Sequence, residues 1–186
     1  MRRALDLIYA SALVASACGL VSIAALVFIQ IAGRILDRAL LAAGMETVGL
    51  QVPSLAEIGG FLFVAAAFLA LPATLRAAGH VRVTMLARAL PDAGARALTV
   101  AVLAAGLGLA GFATWHSWLQ ALDSWQFDSV SFGMIPIPLW IPQGAMTLGL
   151  GIFAVALLDE LLAALAGRTP AFIAAEGAKS IDDAGH

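Results

Sequence analysis

Few side chains in this sequence could carry out chemistry, and their spacing keeps them apart. The histidines are His80, His116 and His186, the cysteine is Cys18 alone, and twelve acids stand against ten basic residues. A haem or metal centre needs two or more such ligands on facing elements. Here one histidine falls on a basic link, one at the end of an apolar run and one at the C-terminus. No HExxH, GxSxG or phosphate-binding glycine loop is present. A lone cysteine excludes a disulfide framework and CxxC redox chemistry, and a small buried residue is the expectation for it. No catalytic residue, cofactor or metal site is therefore assigned.

The elements around these residues account for the shortage. The 186-residue chain is 62% hydrophobic and 12% charged, where soluble domains carry about 25% charged residues. Charge-free runs cover residues 7–29, 58–75, 97–121 and 136–158. A helix crosses the roughly 30 Å of bilayer hydrocarbon with about 20 such residues. The runs predict an all-α integral membrane protein with four transmembrane helices, at about 7–32, 55–76, 95–121 and 139–166. They form one domain, residues 1–168, and the polar tail 169–186 is expected to be disordered. The first apolar run outlasts the 7–15 residues or so of a signal-peptide core, so an uncleaved helix is expected. A net charge of −2 argues against a nucleic-acid partner.

Orientation follows from the arginines. Arg2, Arg3, Arg76, Arg82, Arg88, Arg96, Arg168 and Lys179, eight of the ten basic residues, flank the termini or the central link. Positive charge marks the cytoplasmic side, so both termini are expected there. The stretch "DSVSFGMIPIPLWIP", Asp128 to Pro142, then faces the other side.

Local patterns give finer expectations. Ser54 followed by Glu57 spells a capping box for the second helix. Arg34, Asp37, Arg38 and Leu41 share one helical face, which predicts a short amphipathic helix lying in the interface between the first and second spans; an overrun of the first helix is the alternative. Ser11, Ala15 and Gly19, and likewise Ala104 and Gly108, are spaced for close helix contact, although an Ala-rich chain also yields such stripes by composition. Pro72 frees a carbonyl that a neighbouring helix must meet. Gly167 stands where a helix C-cap belongs. Asp159 and Glu160, near the end of the fourth helix, either reach water or pair with a partner's basic group. Trp115 and Trp118 suit an interface, with His116 between them as a structural residue. Arg34, Arg38, Arg76, Arg82 and Arg88 are candidates for lipid headgroups. No ionisable group falls near the middle of a span, which argues against conduction by this chain alone.

The segment "EIGGFLFVAAAFLALPATLRAAGHVRVTML", Glu57 to Leu86, resembles the second helix and following loop of the small membrane subunit of TRAP transporters, the tripartite ATP-independent periplasmic transporters. Arg76, Gly79, His80, Val81, Arg82 and Val83 fit the family pattern, while Thr84 stands where an acid is common. "DSVSFGMIPIPLWIPQG" resembles the family's outer segment through Ser131, Pro136, Pro138, Trp140, Pro142 and Gly144. The resemblance implies a small permease subunit in the bacterial inner membrane. Its partners would be a large membrane subunit holding the substrate and sodium sites, and a periplasmic binding protein delivering an organic acid. It implies a scaffold role, with Asp123, Asp128, Ser131, Pro136, Pro138 and Trp140 as candidates for partner contact. Two other classes stay open: a small electron-transfer or quinone-linked protein, which the histidine layout disfavours, and a free-standing four-helix protein.

Overall fold

A computed structural model describes residues 2–77 and 90–175. They form four long helices: α1 (Arg2–Ala42), α2 (Leu55–Arg76), α3 (Asp92–Gln126) and α4 (Trp140–Leu165). All four are long and apolar enough to cross a membrane, as the charge-free runs predict. Among the described residues the strand-like pairing is one isolated bridge, Val130 to Pro138.

α1 runs unbroken for 41 residues, about 60 Å at 1.5 Å per residue. The separate interfacial helix expected after residue 32 is not formed. Neither Gly nor Pro follows Gly33 until Gly44, so nothing stops the helix, and Arg34, Asp37 and Arg38 ride on its last turns. Its end is a Schellman motif: Gly44 adopts φ 70°, its N–H reaches Leu41 O, and Met45 N–H reaches Leu40 O. The same closure ends α4 at Gly167, φ 74°, where Arg168 N–H reaches Ala163 O. At the end of α3 the left-handed position falls to Asp128, φ 45°, with Ser129 N–H on Ser124 O.

The packing order is α1, α2, α4, α3: the substantial contacts are α1 on α2, α2 on α4 and α4 on α3. This is an open row rather than a closed bundle, with α1 and α3 at its edges. Each edge helix buries one seam. On α1 the residues withdrawn from the surface are Leu5, Tyr9, Ala12, Ser16, Gly19, Ile23, Leu26, Gln30, Gly33, Asp37 and Leu40. They alternate three and four apart, the 3.5-residue period of a left-handed helix pair. On α3 the same period runs through Val100, Leu103, Leu107, Ala110, Thr114, Ser117, Ala121 and Ser124. Two expected contact faces are therefore corrected. Ser11 and Ala15 are exposed and only Gly19 enters the seam, with Ala66 behind it; Ala104 and Gly108 are exposed as well. Cys18, expected to be buried, is also exposed. The cause is common to all three: in lipid the outward face is as apolar as the seam, so small apolar residues do not mark the inside.

The middle of the row is held by a proline and a glycine. Pro72 lacks the N–H that would have bonded Phe68 O. Gly149 of α4 lies against that carbonyl: a Cβ there would sit 2.6 Å from Phe68 C and 2.7 Å from its oxygen. The neighbouring helix thus packs directly against the carbonyl freed by Pro72. Elsewhere the row is tied by hydroxyls, Ser16 Oγ donating to Ala66 O at 2.7 Å and Ser117 Oγ lying 2.7 Å from Thr147 Oγ1.

Residues 171–175 are helical and Phe172 is buried against the core that Tyr9, Leu75, Leu103 and Ala164 form. The tail expected to be loose from residue 169 therefore begins with a packed turn, because Phe172 has apolar surface to cover.

Candidate functional site

The chain has two ends where polar groups gather. At the terminal end, where α1 begins and α4 stops, three side chains clasp the helices. Arg76 pairs with Asp6, and its guanidinium lies over the Tyr9 ring, 5.3 Å from the centroid. That geometry adds a cation–π attraction. Arg76, expected to face lipid headgroups, is thereby engaged within the chain. Arg96 donates to Ala164 O at 3.2 Å and Leu165 O at 3.0 Å, covering carbonyls that the end of α4 leaves open. Glu160 is buried and accepts the N–H of Ala171 at 2.7 Å. Its carboxylate caps the helical turn at 171, a use that the sequence pattern did not suggest. Tyr9 Oη is buried without a hydrogen-bond partner among the described residues. Gly79, His80, Arg82 and Arg88 lie outside the described residues.

At the opposite end the two links form the other polar cluster. The first, residues 43–54, folds back along α1 as a strap. Asp37 Oδ1 accepts from Val48 N at 2.9 Å and Gly49 N at 3.1 Å, and Gln30 Oε1 accepts from Val52 N at 2.6 Å. Between them Gly33 lets Leu50 O pass against the helix, where any Cβ would overlap it. Asp37 is thus spent on the strap and does not pair with Arg34 or Arg38. The second link, residues 127–139, is a tight hairpin-like loop. Ser131 N–H reaches Ile137 O at 2.9 Å, Leu139 N–H reaches Ser129 O at 2.9 Å, and Ser131 Oγ accepts from Ile137 N at 3.1 Å. Trp125 and Trp140 meet edge to face across its base, centroids 4.9 Å apart.

The capping box at α2 is corrected. Ser54 takes the left-handed conformation, φ 53°, and its side chain makes no cap bond. An N-cap hydroxyl reaches the first turn from an extended backbone, so this geometry withdraws it. Ser54 instead accepts the N–H of Ile135, 81 residues away, at 3.1 Å, while its own carbonyl takes the N–H of Glu57. The Glu57 carboxylate is pressed against Gly133 and its Oε2 is buried without a partner. Ser54 and Glu57 therefore form a joint that fixes the second loop onto α2 through Ile135 and Gly133, while Ser131 braces that loop from within. Pro136 and Pro138 stiffen that joint, and Asp123 and Asp128 remain exposed beside it.

Beyond the joint, apolar side chains stand open. Phe127, Phe132 and Met134 are exposed, Phe132 fully so. Trp115 and Trp118 are exposed on the same end of α3, and His116 stacks on Phe112 at 4.2 Å rather than making a hydrogen bond in the described residues. No group of acids, histidines and cysteine that could hold a metal ion occurs among the described residues.

Residues 23–167 match the family described as "Tripartite ATP-independent periplasmic transporters, DctQ component". The chain belongs to that family. The match takes in the second half of α1, all of α2, α3 and α4, and both links of the loop end, so the joint lies in the family's part of the molecule. No curated relative matches the chain. As a DctQ component it is a small subunit of a TRAP transporter, a multi-pass protein of the inner membrane with a role in transport. The family works as a tripartite system with a large membrane subunit and a substrate-binding protein.

Proposed function

We propose that this DctQ component is the fixed brace of a sodium-coupled importer of organic acids, against which the transporting part of the large subunit moves. Its second loop faces the periplasm, where the exposed Phe132 and Met134 help to seat the substrate-binding protein. The observation that carries this reading is the placement of charge. In the four helices the ionisable side chains cluster at the ends, at Arg3, Asp6 and Arg34 to Arg38, at Glu57 and Arg76, at Arg96 and Asp123, and at Asp159 and Glu160. A path for ions or for an organic acid is usually marked by acidic or basic side chains within the hydrocarbon, and the middle of each described helix carries none. The open row supports the same reading, since it leaves wide apolar walls with no partner inside the chain.

The test is reconstitution. Liposomes holding the large subunit and this chain, given the binding protein and an inward sodium gradient, take up a radiolabelled organic acid. Omitting this chain abolishes uptake, and this chain alone takes up nothing. Uptake by the isolated chain would end the reading. Replacing Phe132 and Met134 together by serine lowers uptake without changing co-purification with the large subunit.

A further inference from the structure

An open cavity of about 620 Å³ lies between α1, the strap and the start of α2, with the exposed Met134 of the second loop at its rim. Its lining has a direction. Val27, Ile31 and Arg34 are spaced i, i+4 and i+7 on α1, one stripe that changes from apolar to cationic over about 10 Å. Apolar Leu55 and the amide of Gln51 face it from the other side. Among the described residues that line it, Arg34 alone is ionisable.

Arg34 has no hydrogen bond or ion pair among the described residues, and the acid nearest in sequence, Asp37, is occupied by Val48 and Gly49. The N–H groups of Glu57 and Ile58 are taken by Ser54 O, which leaves those of Leu55 and Ala56 at the cavity wall without a backbone acceptor. The polar lining is therefore rich in donors and carries net positive charge. The walls are built rather than incidental: Gln30 holds Val52 at 2.6 Å, and Gly33 admits Leu50 O.

We infer that this cavity binds one anionic phospholipid from the leaflet at the loop end of the molecule. Its phosphate pairs with the Arg34 guanidinium, which suits phosphate in a two-pronged geometry. One acyl chain runs down the stripe of Ile31 and Val27. A free phosphate would use the arginine and leave the apolar half of the cavity unfilled, so charge and shape together select the lipid. The site does not depend on which side of the membrane the loops face, nor on the brace role.

The test uses the full chain purified with its large subunit in a neutral detergent. Native mass spectrometry counts retained lipid after titration with phosphatidylglycerol, phosphatidylcholine or inorganic phosphate. The expected result is one phosphatidylglycerol held preferentially, with retention reduced roughly tenfold by Arg34→Gln, the order of one charge-assisted hydrogen-bonded contact. Arg38→Gln, on the same helix but outside the lining, leaves retention unchanged. Because Arg34 is exposed and unpaired, the variant keeps the elution volume of the parent. Equal losses from the two substitutions would overturn the inference, as would equal retention of phosphatidylcholine. Displacement of the lipid by millimolar inorganic phosphate would make the site one for a free anion and overturn it too.

Discussion

Ser54, Glu57 and Gly133 show how far a short motif reaches. The spacing Ser-x-x-Glu correctly singles out residues that matter at the start of α2, but it misnames their partner. The hydroxyl goes to Ile135, 81 residues on, which no local window contains, and the left-handed backbone at Ser54 leaves no trace in residue type. The consequence is measurable. A capping box would make Glu57→Ala destabilising; here Glu57 Oε2 is buried without a partner, so removing it leaves thermal stability in detergent unchanged or slightly raised. Gly133→Ala, in contrast, forces a methyl into the Glu57 carboxylate. A loss is expected that is smaller than at an overpacked core site, because the methyl meets the ends of the Glu57 and Ser54 side chains, and the double variant with Glu57→Ala recovers most of it. An additive double variant would refute the joint.

At the scale of the helices, number and kind were legible because a charge-free run of membrane length has few other uses. The contact faces were not, because hydrophobicity is the same on the lipid side and the seam side. The usable trace is polar: Ser16, Gln30 and Asp37 fall in one seven-residue register, as do Ser117 and Ser124. A helix in hydrocarbon turns its polar groups inward, and these positions mark the buried seams of α1 and α3. Substitutions separate the faces. Gly149→Ala meets the Phe68 backbone at 2.6 Å and weakens the α2–α4 pair by about 1–3 kcal/mol. Ser16→Ala loses the bond to Ala66 O and costs about 0.6 kcal/mol, the usual value between membrane helices. Gly108→Ala, with nothing within 4 Å of the new methyl, leaves the melting temperature where it was. Equal effects at Gly149 and Gly108 would remove the seam assignment.

For the whole molecule, the arginine bias predicts that the termini face the cytoplasm and the two links of the loop end face the periplasm. Phe132 is fully exposed at the tip of the second loop, which makes it a reporter. In a Cys18→Ser background, Phe132→Cys is labelled by a membrane-impermeant maleimide on intact cells, and a cysteine at Ala174, exposed at the other end, is labelled only after lysis. The reverse pattern would invert the topology. The order of the row, with α2 beside α4 and the two longest helices outside, was not legible in the sequence. It is set by Gly149 fitting Phe68 and by hydroxyl pairs between segments far apart in the chain, and such pairings leave no periodic mark.

The strap along α1 has a consequence for shape. Because Val52 is tied level with Gln30, α2 begins beside the middle of α1's second half, and the twelve residues from 31 to 42 continue past that point for about 18 Å along the helix axis. The loop end is consequently stepped: α1 is a post at one edge of the row, and the second loop, seated on the start of α2 through Gly133 and Ile135, is the floor beside it. A globular visitor of ordinary curvature cannot rest on post and floor at once without a matching notch, so whatever lands there is oriented about the membrane normal before any side chain is recognised.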